Sequence, residues 1–247
     1  MTSDVWHIFP FLALTKFNSN VKKEKKCNNN NNNGHHFDPQ DSGAHPGTGT
    51  ASRRAPGCEG AMGLSQVWEG LWVGAARVIT SHLLASHGIT TLVWATPEVQ
   101  VPPLQDDLHV VKVLVKDEAT QDLGPHLPIV AQAFRECRGR GEGMAVVCRA
   151  GKSRSAALAL AALVALPEAA PTLRDAYVAV KAARPLIRPN PGFFAQLIQY
   201  EEEVRGAASM AMEENPYSEA RELLPAVYVE ELRKAVCGGT FTTFVPL

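Results

Sequence analysis

The chain has 247 residues, 45% of them hydrophobic and 20% charged, and a formal net charge of −1. That length supplies one ordinary core plus tails. Near-neutrality gives no global attraction for nucleic acid or an anionic membrane, so any affinity for an anion must come from a local arrangement of residues. No uninterrupted apolar run of about eighteen residues is present to span a bilayer. The five cysteines, Cys27, Cys58, Cys137, Cys148 and Cys237, are odd in number and contain no C-x-x-C pair, which fits neither a disulfide framework nor a zinc site. A reducing compartment follows: cytoplasm is the expected location, with nuclear access for so small a protein.

Residues 1–62 differ from the rest. "VWHIFPFLAL" (5–14) is apolar, but it has no basic segment before it and no small-residue cleavage pattern after it, so it does not read as a signal peptide. "KKEKK" (22–26), six asparagines (28–33) and a Gly/Ser/Pro-rich stretch follow, too polar to bury a core. The segment is read as a disordered, low-complexity tail, and Met62 as a candidate alternative start. His35 and His36 lie near Cys27, but without a spaced second pair they read as solvated side chains, and no metal is expected.

From Leu64 the pattern alternates. "QVWEGLWVG" (66–74) reads as a strand, "SHLLASHG" (81–88) as a short helix stopped by Gly88, "ITTLVWAT" (89–96) and "HVVKVLV" (109–115) as strands. "PHLPIVAQAFRECRGRG" (125–141) has helical spacing, and "MAVV" (144–147) is short, apolar and β-branched, as a buried central strand should be. The helix predicted from about Ser153 is apolar nearly all round and so must be buried on most faces. Two further helices are predicted over 172–185 and 190–206, the second with Asn190 as cap and Pro191 in its first turn. This alternation implies an α/β fold, a central and mostly parallel sheet flanked by helices. The boundaries expected are a tail over 1–62, one domain over 63–206 and a partly helical extension over 207–247. Apolar residues in the extension, among them Leu224, Val227 and Val229, can pack on the domain or on a second copy, so a homodimer is one of two expectations.

The stretch "AVVCRAGKSRSAALAL" (145–160) carries the chemistry. In an open α/β sheet, ligands gather beyond the carboxyl ends of the strands, and Cys148 stands where "MAVV" hands over to a helix amino terminus. Arg149, Ala150, Gly151, Lys152 and Ser153 are few enough to curl as one turn with inward-pointing amides, Gly151 relieving strain where φ is positive. Such a ring binds a tetrahedral oxyanion. Arg154 adds a planar, permanently charged fork that can take two phosphate oxygens. The same helix terminus favours a thiolate over a thiol, so a nucleophile and an anion cradle share one loop.

C-x-x-x-x-x-R-S is the signature of the protein tyrosine phosphatase superfamily, and this loop resembles its "CxAGxSRS" form in the small dual-specificity phosphatases. "GLWVGAARV" (70–78), "AYVAVKAARPLIRPNPGFFAQLIQYE" (176–201) and "NPYSEARELLPAVYVEELRK" (215–234) are similar to the atypical group, in particular the subgroup of dual specificity phosphatases 14, 18 and 21. The resemblance spans residues 64–235 and implies the cysteine-phosphatase fold. It also implies hydrolysis of phosphotyrosine and phosphoserine or phosphothreonine in phosphorylated proteins, through a cysteinyl-phosphate intermediate and with no metal or organic cofactor. Residue by residue, it makes Cys148 the nucleophile, Arg154 the stabiliser of transferring phosphate oxygens, and Ser155 the hydroxyl that eases sulfur departure. Asp117, 31 residues before Cys148, becomes the general acid and later base, with Asp122 as its rival. Arg149, Ala150, Gly151, Lys152 and Ser153 become the phosphate-binding loop, and Asn190 its brace. Arg184 and Arg188 are candidates for an electropositive rim.

Two positions depart from the family pattern. Val147 stands where histidine is usual; valine cannot donate a hydrogen bond, which predicts weaker support for the ionised cysteine and lower turnover at neutral pH, relieved by Val147→His. Trp94 stands where asparagine is frequent. A low-activity or inactive phosphate-binding pseudophosphatase is therefore one alternative reading. A phosphatase of a non-protein phosphate, such as an inositol lipid or an RNA end, is another.

Overall fold

The computed structural model describes residues 63–166 and 172–237; the predicted tail, with Cys27 and Cys58, lies outside the described residues. Five strands form one sheet: β1 (Leu64–Trp68), β2 (Leu71–Ala75), β3 (Ile89–Trp94), β4 (His109–Lys112) and β5 (Gly143–Cys148), in the order β1-β2-β5-β3-β4. β5 is central, pairs parallel with both β2 and β3, and is buried at every residue, as its uninterrupted apolar run requires. β4 pairs parallel with β3, while β1 is antiparallel to β2, so the sheet is mostly parallel with one antiparallel edge.

The stretch expected as a single strand over 66–74 is a hairpin. The chain reverses at Glu69–Gly70, and β1 folds back on β2 with Leu64 opposite Gly74. Alternation was the visible signal, and it survives such a reversal because both arms bury the same face. The predicted strand over 109–115 keeps ladder geometry only to Lys112; beyond it Val113 and Val115 stay buried while Leu114 turns outward.

The helices are α1 (Ser81–Ser86), α2 (Leu127–Gly139), α3 (Arg154–Val164), α4 (Leu173–Ala183), α5 (Pro191–Arg205) and α6 (Ala226–Cys237). α3 is buried at all its residues and packs against α2, α4, α5 and the sheet, which explains its Ala/Leu composition: small residues admit several neighbours at close range. α5 opens as predicted. Asn190 Oδ1 accepts from the amide of Phe193 at 2.9 Å, and Pro191 takes the first turn, where no amide partner is needed. None of the described helices is long and apolar enough to cross a membrane.

After Gly206 the chain adds a small hairpin, β6 (Met212–Glu214) with β7 (Leu223–Pro225), and then α6. Leu224, Val227, Tyr228, Val229 and Leu232 are buried in the same apolar cluster as α3, α4 and α5. Of the two expected destinations for these side chains, the chain itself covers them. Tyr177, Phe194 and Tyr228 meet edge to face with ring centroids 5.3–5.8 Å apart, each such pair adding about 0.5–1.5 kcal/mol beyond area burial.

Candidate active site

The loops leaving β3, β4 and β5 converge at the carboxyl edge of the sheet. There they line a cleft of about 730 Å³ whose walls include Glu98, Asp117, Cys148, Arg149, Lys152 and Arg154. β5 carries Cys148 to its floor, 1% exposed. Gly151 N–H donates to Cys148 Sγ at 3.2 Å, and Ser155 Oγ lies 3.2 Å from the same sulfur. The loop curls as its length suggested. Gly151 has φ 68°, and a Cβ there would sit 2.5 Å from the Gly74 backbone, so no other residue fits without moving β2.

Arg154, the first residue of α3, is 2% exposed. Its Nη1 donates to the Val115 carbonyl at 3.1 Å and to both Glu98 carboxylate oxygens at 3.0 and 2.7 Å. Its Nε is buried and has no hydrogen-bond partner among the described residues, with an ion-pair contact to Asp117 Oδ2 at 3.8 Å. The guanidinium is thus fastened at one nitrogen, leaving another donor without a partner.

Asp117 is positioned from two sides. Its Oδ1 accepts from Ser153 Oγ at 2.6 Å and from Asn190 Nδ2 at 2.9 Å. Ser153 Oγ in turn accepts the Asn190 amide at 3.0 Å. With Oδ1 satisfied twice, any proton on this carboxyl resides on Oδ2, the oxygen nearer Arg154. Ser153 is the N-cap of α3 but makes no side-chain cap bond; its Oγ donates to Asp117 and accepts the Asn190 amide instead. The first amides of α3 therefore remain available to an anion. Asp122 accepts from the Gly124 amide at 3.0 Å in the turn before α2 and is not among the cleft-lining residues.

Arg149 and Lys152 are exposed and line the cleft with Lys116 and Ala150, as expected of a rim. Arg184 and Arg188 do not. Arg184 is 1% exposed and lies beneath the loop, donating from Nε to the Gly151 carbonyl at 2.9 Å and from Nη1 to Ser65 Oγ and the Gly63 carbonyl. Burial pushes its guanidinium below the usual value, and the Cys148 sulfur partly offsets this. Arg188 stacks over the Tyr228 ring at 4.2 Å and reaches Glu231, while its amide donates to the Lys152 carbonyl at 2.9 Å. Both arginines support the loop from behind because the Arg184–Asn190 segment runs underneath it, a placement that sequence spacing does not encode.

Glu98 was not singled out by the sequence. Besides Arg154, its carboxylate accepts from Thr96 Oγ1. Burial raises its pKa, but the bonds from Arg154, from Thr96 and from its own amide outweigh this and lower it from 4.5 to about 2. A carboxylate just past the end of the strand beside the nucleophile's strand was the available signal.

Residues 71–203 match the family described as "Dual specificity phosphatase, catalytic domain". The chain belongs to the dual specificity phosphatase family. It is a protein phosphatase of the dual-specificity type, a hydrolase. Human dual specificity protein phosphatase 14 is 35% identical over 173 residues, 69% of this chain and 83% of that protein. Bovine dual specificity protein phosphatase 18 is 34% identical over 175 residues, 70% of this chain and 89% of that protein. A mouse putative dual specificity phosphatase crystallised with zinc tungstate superposes with a TM-score of 0.54 at 32% identity, covering 64% of this chain and 94% of that one. The phosphatase therefore carries the fold implied by its cysteine-arginine loop, and the α/β architecture expected from the alternating elements is the one observed.

Proposed function

We propose that this phosphatase hydrolyses phosphotyrosine and phosphoserine or phosphothreonine in proteins through a phosphoryl group carried on Cys148. The Cys148 thiolate attacks phosphorus in line, the S–P bond forms as the P–O bond to the side chain breaks, and the leaving oxygen takes the proton from Asp117 Oδ2. Arg154 Nε and the first amides of α3 receive the equatorial oxygens, whose charge grows in the transition state. Water then attacks phosphorus while Asp117 Oδ2 accepts its proton. The S–P bond breaks, and the departing sulfur is received by Ser155 Oγ and the Gly151 amide. Inorganic phosphate leaves, and the thiolate and protonated Asp117 are restored.

The observation that carries this reading is the buried Nε of Arg154. A buried N–H of a permanent cation left without a hydrogen bond is costly unless an anion is its intended acceptor. The uncapped start of α3 supports the same conclusion, as does the mouse relative crystallised with tungstate, a tetrahedral oxyanion of phosphate's shape. The presence of Ser155 and Asp117 beside nucleophile and arginine favours turnover over binding alone, since neither is needed merely to hold an anion. Glu98 and Glu118 stand among the cleft's cations, which favours a single phosphoryl group on a protein over a polyanionic lipid or nucleic-acid end.

The test is hydrolysis of 4-nitrophenyl phosphate and of phosphopeptides by wild type, Cys148→Ser and Arg154→Lys. Cys148→Ser should abolish turnover and retain tungstate binding. Arg154→Lys should lower kcat by about 10²–10³-fold through loss of the oriented fork. An inert wild type that binds phosphopeptide through Arg154 would establish the pseudophosphatase reading instead.

A further inference from the structure

The segment between β3 and β4, residues 95–108, contains no helix or strand, yet it holds Glu98 on Arg154. A stretch without a backbone ladder keeps its place only through individual fastenings. At its start the Ala95 amide donates to the Val147 carbonyl at 2.7 Å. Four residues on, the Val99 carbonyl accepts the indole N–H of Trp94 at 3.0 Å. Between them Thr96 and Glu98 bond to each other through their side chains. Trp94 is 1% exposed and ends β3, so a buried side chain of the sheet reaches out to grip the turn that carries Glu98.

Beside Trp94 stands Val147. The two residues are register partners on the parallel strands β3 and β5, and both belong to an apolar layer with Ala76, Ile79, Leu92 and Ala145. This layer lies on the opposite face of β5 from Met144, Val146 and Cys148, as strand alternation dictates. Val99, Val101 and Leu104 from the same segment pack against it. Val147 and Trp94 are thus one local feature: an apolar pair, the larger member of which carries a single N–H donor, satisfied by the Val99 carbonyl.

We infer that Trp94 is a positioning residue of the phosphatase site: its indole holds the Val99 carbonyl and so keeps the Glu98 carboxylate on Arg154, with Val147 providing the apolar neighbour the indole packs beside. The inference rests on Arg154 being the anion-binding group proposed above. Trp94 touches no reacting atom. Its contribution passes through Glu98, so the two residues must be energetically coupled.

The test is a double-mutant cycle in the full chain with Trp94→Phe, which keeps an aromatic ring and loses the donor, Glu98→Gln, and both together. The readouts are kcat and KM for 4-nitrophenyl phosphate, the dissociation constant of tungstate, and the thermal midpoint. One hydrogen bond through one intermediary predicts a fall in kcat of about three- to tenfold for Trp94→Phe. The double variant should be no worse than Glu98→Gln alone, an outcome that general loosening of the core does not produce. Fold-changes that multiply, or an unaltered kcat in Trp94→Phe, overturn the inference while leaving the phosphatase reading intact. If Trp94→Phe fails to fold, incorporation of 3-benzothienylalanine at position 94, which replaces the N–H by sulfur at nearly constant volume, serves the same cycle. An inert wild type that binds tungstate overturns the turnover reading alone, and the cycle is then read on tungstate affinity; a wild type that neither turns over nor binds tungstate overturns both.

Discussion

Cys148, Arg154 and Asp117 depend on neighbours that fix a particular atom of each. Asp117 Oδ1 is occupied by Ser153 and Asn190, so its chemistry is confined to Oδ2. Replacing it by asparagine should lower kcat/KM on phosphotyrosine peptides by about 10²–10⁴-fold. In kcat/KM, which reports formation of the phosphoenzyme and not its hydrolysis, the loss should be much smaller for aryl phosphates whose leaving group needs no proton; equal losses in kcat/KM on both would contradict an acid role. Val147, too, is fixed by what surrounds it. It is packed in an apolar layer with Ala76, Ile79, Leu92 and Ala145, with Trp94 beside it, so an imidazole there would replace apolar contacts. Val147→His is now expected to cost about 1–3 kcal/mol of stability, measured by denaturant titration, without the gain in turnover that the sequence suggested. Unchanged stability with raised activity would restore the earlier view.

At the scale of elements, the turn from β5 into α3 was legible because five residues between cysteine and arginine, after a β-branched strand, leave little conformational choice. The bracing of that turn was not. Arg184 in "AARP" reads as a candidate for the electropositive rim, and only the passage of the α4–α5 connection beneath the loop turns it inward onto Gly151. Glu98 escaped notice for the same reason, since its partner Arg154 is 56 residues away and the coil around it has no periodicity. Where α5 begins, the fit between elements is closest: a Cβ on Gly192 would stand 1.9 Å from the Ala119 carbonyl oxygen, in the loop that carries Asp117. Gly192→Ala must push that loop away from Asn190 and Ser153. The expected result is a fall in kcat/KM on phosphopeptides comparable to that of Asp117→Asn, with kcat/KM on activated aryl phosphates largely kept; full activity on both would show that the loop yields without consequence.

For the molecule as a whole, the mostly parallel sheet with helices around it followed from the alternation of short apolar runs and helical spacing, while the hairpin of β1 and β2 was masked by alternation that runs unbroken through its turn, and the fastening of α6 depended on contacts between distant segments. α6 closes on the back of the site, where Tyr228 donates to the Pro189 carbonyl at 2.8 Å and Glu231 accepts from Tyr177 at 2.6 Å and pairs with Lys181 and Arg188. The Glu98–Arg154 pair links the site to stability. Because folding lowers the Glu98 pKa from 4.5 to about 2, the pair stabilises the fold fully above 4.5 and loses that contribution as pH falls through about 2. Glu98→Gln should therefore flatten the acid side of a thermal-midpoint-against-pH curve, modestly and less so in high salt, since the carboxylate is partly exposed; a variant curve parallel to wild type would mean that the pair carries no such linkage. The central claim, that the Cys148 sulfur itself takes the phosphoryl group, is met most directly by rapid acid quench of Asp117→Ala with 4-nitrophenyl phosphate, followed by peptide mass spectrometry. Nitrophenolate leaves without an acid, whereas hydrolysis of the intermediate lacks its base, so phosphate is predicted to accumulate on Cys148 and nowhere else; turnover with Cys148 unmodified throughout would contradict the account.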